Sequence, residues 1–126
     1  MQRKSRTLKS QVAVVEPDGA VRDSLVFALT IDGYSVRAFG SAAEFLACPF
    51  SARCDCLVTA NRLPDLAGAQ LADRWLQANP QRAAVLMVGK PVEAIRRPRL
   101  QTIVKPLDGA AATEAVAVAL RSRRHE

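Results

Sequence analysis

The chain has 126 residues, 49% of them hydrophobic and 24% charged, which suits one soluble globular domain and leaves no room for a second folded unit of ordinary size. Its net charge of +6 is carried by the two ends: Arg3, Lys4, Arg6, Lys9, Arg121, Arg123 and Arg124 stand against a single acid, Glu126, and the stretch between is neutral. A disordered tail is excluded by composition, a membrane span by the absence of any apolar run near ~20 residues, and a secretory signal by the lack of an apolar core behind the basic start, so a cytoplasmic domain is expected.

The N-terminal tail, residues 1–10, is followed by Gln11, Val12, Ala13, Val14 and Val15, a short β-branched run that reads as a strand buried on both faces. Val21, Leu25, Ala28 and Leu29 then recur at helical spacing, and Gly33 supplies a C-terminal stop. Residues 34–39 read as a second strand. Ser41 and Glu44 form a capping-box pattern that opens a short helix toward Cys48.

Residues 56–59 make a third strand, followed by a loop with Pro64, Asp65 and, close behind, Gly68. Leu71, Trp75 and Leu76 mark a helix over 70–78 that ends at Asn79 and Pro80. Residues 83–88 form a fourth strand, stopped by Gly89, and residues 101–104 a fifth, stopped by Pro106. An alanine-rich helix over 109–121 closes a domain spanning 11–120, with 121–126 as a basic C-terminal tail. Solvated ends are the simpler reading of both tails; a phosphate contact, as to nucleic acid, or a membrane-surface contact is the sharper one.

Strands alternating with helices predict a three-layer, doubly wound α/β fold with right-handed crossovers. In such a sheet the working site lies beyond the carboxyl ends of the strands. The segments to inspect are therefore 16–19, 60–65, 89–90 and 105–106.

Cys48, Cys54 and Cys56 do not make a zinc site, because the only histidine is His125 in the tail. Alternation puts Cys54 and Cys56 on the same side of an extended segment, as small buried apolar residues with reduced thiols.

At those segments a family resemblance becomes plain. The run from Val14 to Leu25 with Glu16, Pro17, Asp18 and Gly19, then Gly33 and Tyr34, resembles the start of a two-component response-regulator receiver domain of the CheY-like kind. Ser41 to Leu46, the loop from Leu63 to Gly68, and the closing Lys105 and Pro106 resemble it too. The resemblance covers about residues 11–120 and implies a five-stranded parallel sheet in the order 2-1-3-4-5.

The resemblance also implies a reaction in which an aspartate after the third strand accepts a phosphoryl group. An acidic pair after the first strand holds Mg²⁺, and a hydroxyl and a lysine bind the phosphate oxygens. Matched residue by residue, the acceptor position is Ala60, the acidic pair is Glu16 and Pro17, the hydroxyl position is Val88, and the switch aromatic is Thr102. Only Lys105, Pro106 and Glu16 remain. A phosphorylation-independent interaction module, a pseudo-receiver and not an enzyme, is expected, with Mg²⁺ binding weak or absent. Its partner would be a histidine kinase, another response regulator or a second copy, with nucleic acid unlikely and no membrane insertion.

The alternatives kept open are a rescued phosphoacceptor at Asp18 or Asp65, each of which also reads simply as a helix cap, and nucleic-acid binding through the tails. Thr59 is expected on the face opposite Ala60. Lys105, without phosphate, is expected to pair with Glu16 or Asp18, or else to reach water. The helix between the fourth and fifth strands is expected to shrink to residues 92–97. Arg96, Arg97, Thr102, Ala115 and Val118 are then the candidate partner surface.

Overall fold

A computed structural model of the chain describes residues 10–90, 99–105 and 109–122. The elements run β1 (Gln11–Val15), α1 (Gly19–Ile31), β2 (Ser35–Phe39), α2 (Ala42–Ala47), α3 (Phe50–Arg53), β3 (Cys56–Ala60), α4 (Gly68–Gln77), β4 (Ala83–Val88), β5 (Leu100–Val104) and α5 (Gly109–Ser122). The five strands form one parallel sheet in the order β2-β1-β3-β4-β5. This is the doubly wound topology expected from the sequence. The expected helix over 92–97, with Arg96 and Arg97, lies outside the described residues, as do residues 1–9, residues 123–126 and Pro106, whereas Arg121 and Ser122, expected in the C-terminal tail, belong to α5.

The apolar runs of β1, β3 and β4 are what a strand covered on both faces needs, and β3 and β4 are buried along their whole length. Alternation then sorts their side chains into two cores. Val12, Val14, Val58 and Met87 meet Leu25, Leu29, Ala112, Val116 and Ala119 of α1 and α5. Ala13, Val15, Leu57 and Leu86 meet Phe45, Leu71, Trp75 and Leu76 of α2 and α4. The edge strand β2 is mostly exposed, and its Arg37 blunts it against pairing with another chain.

The caps follow the sequence with two changes. Asp18 accepts from the Ala20 and Val21 amides and opens α1. Ser41 Oγ accepts from Glu44 N–H, while Glu44 reaches back to the amide of Gly40 and not of Ser41. Gly33 takes the left-handed conformation, φ 102°, that ends α1. Asp65 does cap a helix, but not the one that follows it: its carboxylate accepts from the amides of Ala42 and Ala43, at 3.2 and 2.8 Å. The N-cap residue of α4, Ala67, has no side-chain acceptor, and Asn61 Oδ1 accepts from the first-turn amide of Ala69 in its place.

Two features escaped the sequence. Residues 50–53 form α3, a single turn entered from Pro49. Cys54 is its C-cap and Asp55 a bend before β3 begins at Cys56, so the expectation that the two cysteines share a side of one extended segment is corrected: Cys54 lies in the core under α2 and α4, and Cys56 in the core under α1 and α5. Arg99, at the left-handed φ of 65°, turns its guanidinium inward and donates to the carbonyls of Leu76, Asn79 and Arg82, satisfying the end of α4.

Burial pushes the Cys54 thiol from an ordinary 9.0 up to about 12, against an opposing pull from Arg82. Burial, with help from Asp32, also raises Tyr34. Between about pH 9 and 12 the folded chain therefore holds a proton on Cys54 that the unfolded chain has lost. Stability is fully present below pH 9 and falls above it, by about 1.4 kcal/mol per pH unit from this group. Urea unfolding at pH 8, 9 and 10 should show that decline, and Cys54→Ala should flatten it.

Candidate functional site at the carboxyl end of the sheet

The carboxyl ends of the parallel strands bring three of the expected residues into contact. Glu16, directly after β1, is only 1% exposed. Its Oε1 lies 2.8 Å from Lys105 Nζ, directly after β5, and its Oε2 accepts from the Asp18 amide at 3.0 Å. A buried carboxylate needs such partners, since an isolated charge there would be costly. Lys105 is placed by its own amide, which donates to Val88 O at 2.8 Å, and its side chain stays about one-third exposed. Of the partners anticipated for Lys105, the structure selects Glu16. Asp18 serves the helix and reaches the pair only through its backbone.

Arg22 belongs to the site as well. Its Nη1 donates to the carbonyls of Glu16 and Pro17, at 2.8 and 3.4 Å, and fastens the loop after β1 against the first turn of α1. Only a side-chain to backbone contact reveals this role, which is why sequence reading missed it. Pro17 itself is exposed and has no ligand atom.

Ala60, 2% exposed, ends β3 opposite Met87. The backbone closes tightly over it. The Gly68 amide donates to Asn61 O at 2.7 Å, the Asn61 amide donates to Met87 O at 2.9 Å, and Asn61 Oδ1 accepts from Ala69 N–H at 3.3 Å. Thr59 lies buried and donates its hydroxyl to Ala60 O at 3.0 Å. Val88 packs in the core beneath α4, whereas Ala60 packs in the core beneath α5, so their side chains fall on opposite faces.

The expected partner surface is only partly available. Ala115 is buried at 8% exposure in the core between α5 and the sheet, which corrects its assignment to a docking face. Small side chains at Ala112, Ala115 and Ala119 let α5 approach its own sheet instead. Thr102 on β5 and Val118 on α5 are half-buried.

Sequence comparison places this geometry among known proteins. The chain is 33% identical over 114 residues to the transcriptional regulatory protein FixJ of Azorhizobium caulinodans, and 31% identical over 110 residues to FixJ of Rhizobium meliloti. These alignments take in 86% and 83% of this chain and 54% of each relative. A response-regulator receiver domain protein from Clostridium thermocellum superposes with a TM-score of 0.79 at 19% identity, over 92% of this chain and 98% of that one. The chain has the fold of a receiver domain. A receiver protein from Sinorhizobium medicae agrees equally well, with a TM-score of 0.79 at 21% identity over 90% and 96% of the two chains. No protein-family model matches the chain. The chain spans about half the length of the curated relatives it matches.

Proposed function

We propose that this receiver domain is a two-component signalling module that engages a protein partner without being phosphorylated. The observation that carries this reading is the methyl group of Ala60 at the end of β3, in a sheet rim whose buried acid, Glu16, is already neutralised by Lys105. Phosphoryl transfer needs a nucleophilic oxygen, and alanine has none.

The donors also fit Mg²⁺ poorly. A hard cation asks for several oxygen ligands, with at least one or two carboxylates. Both oxygens of Glu16 are engaged, by a lysine and by an amide, and Pro17 offers nothing. The substitute carboxylates are spoken for as well: Asp18 holds the start of α1, and Asp65 the start of α2. The Lys105–Glu16 bridge would then hold one conformation of the rim permanently, where phosphate would otherwise select it. The partner on this reading is a cytoplasmic signalling protein: a histidine kinase, another response regulator, or a second copy of the chain.

Incubation with acetyl phosphate and Mg²⁺, followed by intact mass measurement, tests the proposal. The mass should remain that of the unmodified chain under conditions that label a phosphorylatable receiver run alongside. A stable added phosphoryl group on any aspartate would overturn it.

A further inference from the structure

Phe27 and Ile31 of α1 are 67% and 69% exposed. Four residues apart on one helix, they share a face and form a single apolar patch of the kind that marks an interaction site. An open groove of about 530 Å³ runs beside them between α1 and α5, and the small side chains of Ser24, Ala28, Ala110 and Thr113 line it. One face thus carries a protruding ring and, next to it, a recess. A two-fold axis makes that combination self-complementary, because every contact in such a pairing occurs twice and each copy can place its ring in the recess of the other.

Charge at the two ends of the face sets the direction of pairing. Leu29 marks the midpoint of the apolar pair along α1, and the exposed Asp23 lies about 9 Å from that level toward the start of the helix. At the other end, Tyr34 N–H donates to Leu29 O at 3.2 Å, about one turn beyond the midpoint. Arg121, exposed in the last turn of α5, acts on Tyr34 there. Asp23 and Arg121 have no ion-pair partner among the described residues. Two α1 helices crossing antiparallel at the midpoint set the Asp23 of each copy against the Arg121 of the other. Asp32 and Glu114 stay at the rim in water, where exposed charges contribute little.

We propose that two copies of the chain pair through this face. Their α1 helices run antiparallel, Phe27 of each copy enters the recess of the other, and Asp23 meets Arg121 at both ends. This names a partner and a face for the module proposed above, and it rests on that reading for its role in signalling.

Sedimentation velocity of the 126-residue chain, without any phosphate donor, tests this from about 10 μM to about 1 mM. The mean mass should rise with concentration toward that of two chains. Phe27→Lys, at a position already in water, should keep the chain monomeric with an unchanged urea midpoint. Asp23→Arg should raise the dissociation constant about tenfold, through two lost ion pairs and two new repulsions. Adding Arg121→Asp should return it to within about threefold of the original. A monomer at every concentration would overturn the proposal. So would a dimer that survives Phe27→Lys, or a charge reversal without recovery. Either failure leaves the reading of an unphosphorylated module standing, since no phosphate is present. A phosphoryl group found by intact mass would remove that reading and leave the pairing as measured.

Discussion

Gly68→Ala is expected to destabilise the domain by about 3 kcal/mol, the upper part of the range for forcing an extra methyl into packed structure. Ordinary helix propensity argues the other way, since alanine for glycine in an exposed helix gains up to about 1 kcal/mol. Steric contact decides the outcome. A Cβ built on Gly68 would lie 1.9 Å from Ala60 O, 2.8 Å from Ala60 C and 2.9 Å from Asn61 Cα. All three are backbone atoms, so no rotamer change relieves the clash. Either the end of β3 or the start of α4 must shift, and the 2.7 Å bond from Gly68 N–H to Asn61 O goes with it. Gly19→Ala is the control: it also sits at a helix start, but its Cβ would meet only Arg22 Nη2, at 3.5 Å. Urea denaturation should therefore show a large drop in midpoint for Gly68→Ala and none, or a small gain, for Gly19→Ala.

The second large effect concerns the pair at the rim. Lys105→Met should cost about 2–3 kcal/mol, because it leaves the Glu16 carboxylate buried with only the Asp18 amide and no counter-charge. The figure lies below that for a fully buried pair because about one-third of the lysine side chain is in water. Glu16→Leu with Lys105→Met together should recover much of the loss, since two apolar groups leave no orphaned charge. A double-mutant cycle by urea unfolding measures this, with an expected coupling of about 1–3 kcal/mol. A coupling near zero would mean that the bridge does not hold the rim, and the reading of a permanently fixed conformation would lose its physical basis.

Much of this architecture could be read from residue order. The unbroken apolar run from Val12 to Val15, the stripe through Leu25 and Leu29, and Gly33 were enough to place β1 and α1, because burial and local backbone geometry act over a few residues. The side chains that stand at Ala60 and Pro17, neither with an oxygen, were equally legible from their identity. Choices settled between distant segments were harder. Lys105 had more than one acceptor in prospect, and the sheet register resolved the choice in favour of Glu16. Asp65 read correctly as a cap, yet its helix is α2, which lies before α3 and β3 in the chain and is brought close only by the folded sheet. Cys54 and Cys56 looked like neighbours on one strand because a four-residue turn at Phe50 carries too little periodicity to announce itself. Ala115 looked available because alanine suits a packed face and a docking face alike.

The Asp65 cap has a consequence for the order in which the chain assembles. The start of α2 is sealed by a carboxylate twenty-two residues downstream of Ala43, and that carboxylate arrives only with the loop that leaves β3. Until that loop closes, α2 is a six-residue helix, too short to persist alone and missing one of its two N-terminal seals. It is thus expected to form late, consolidated by long-range closure more than by local nucleation. Hence the flank of the domain carrying α2 rests on the completed centre of the sheet, and lesions at the end of β3 will be felt there first.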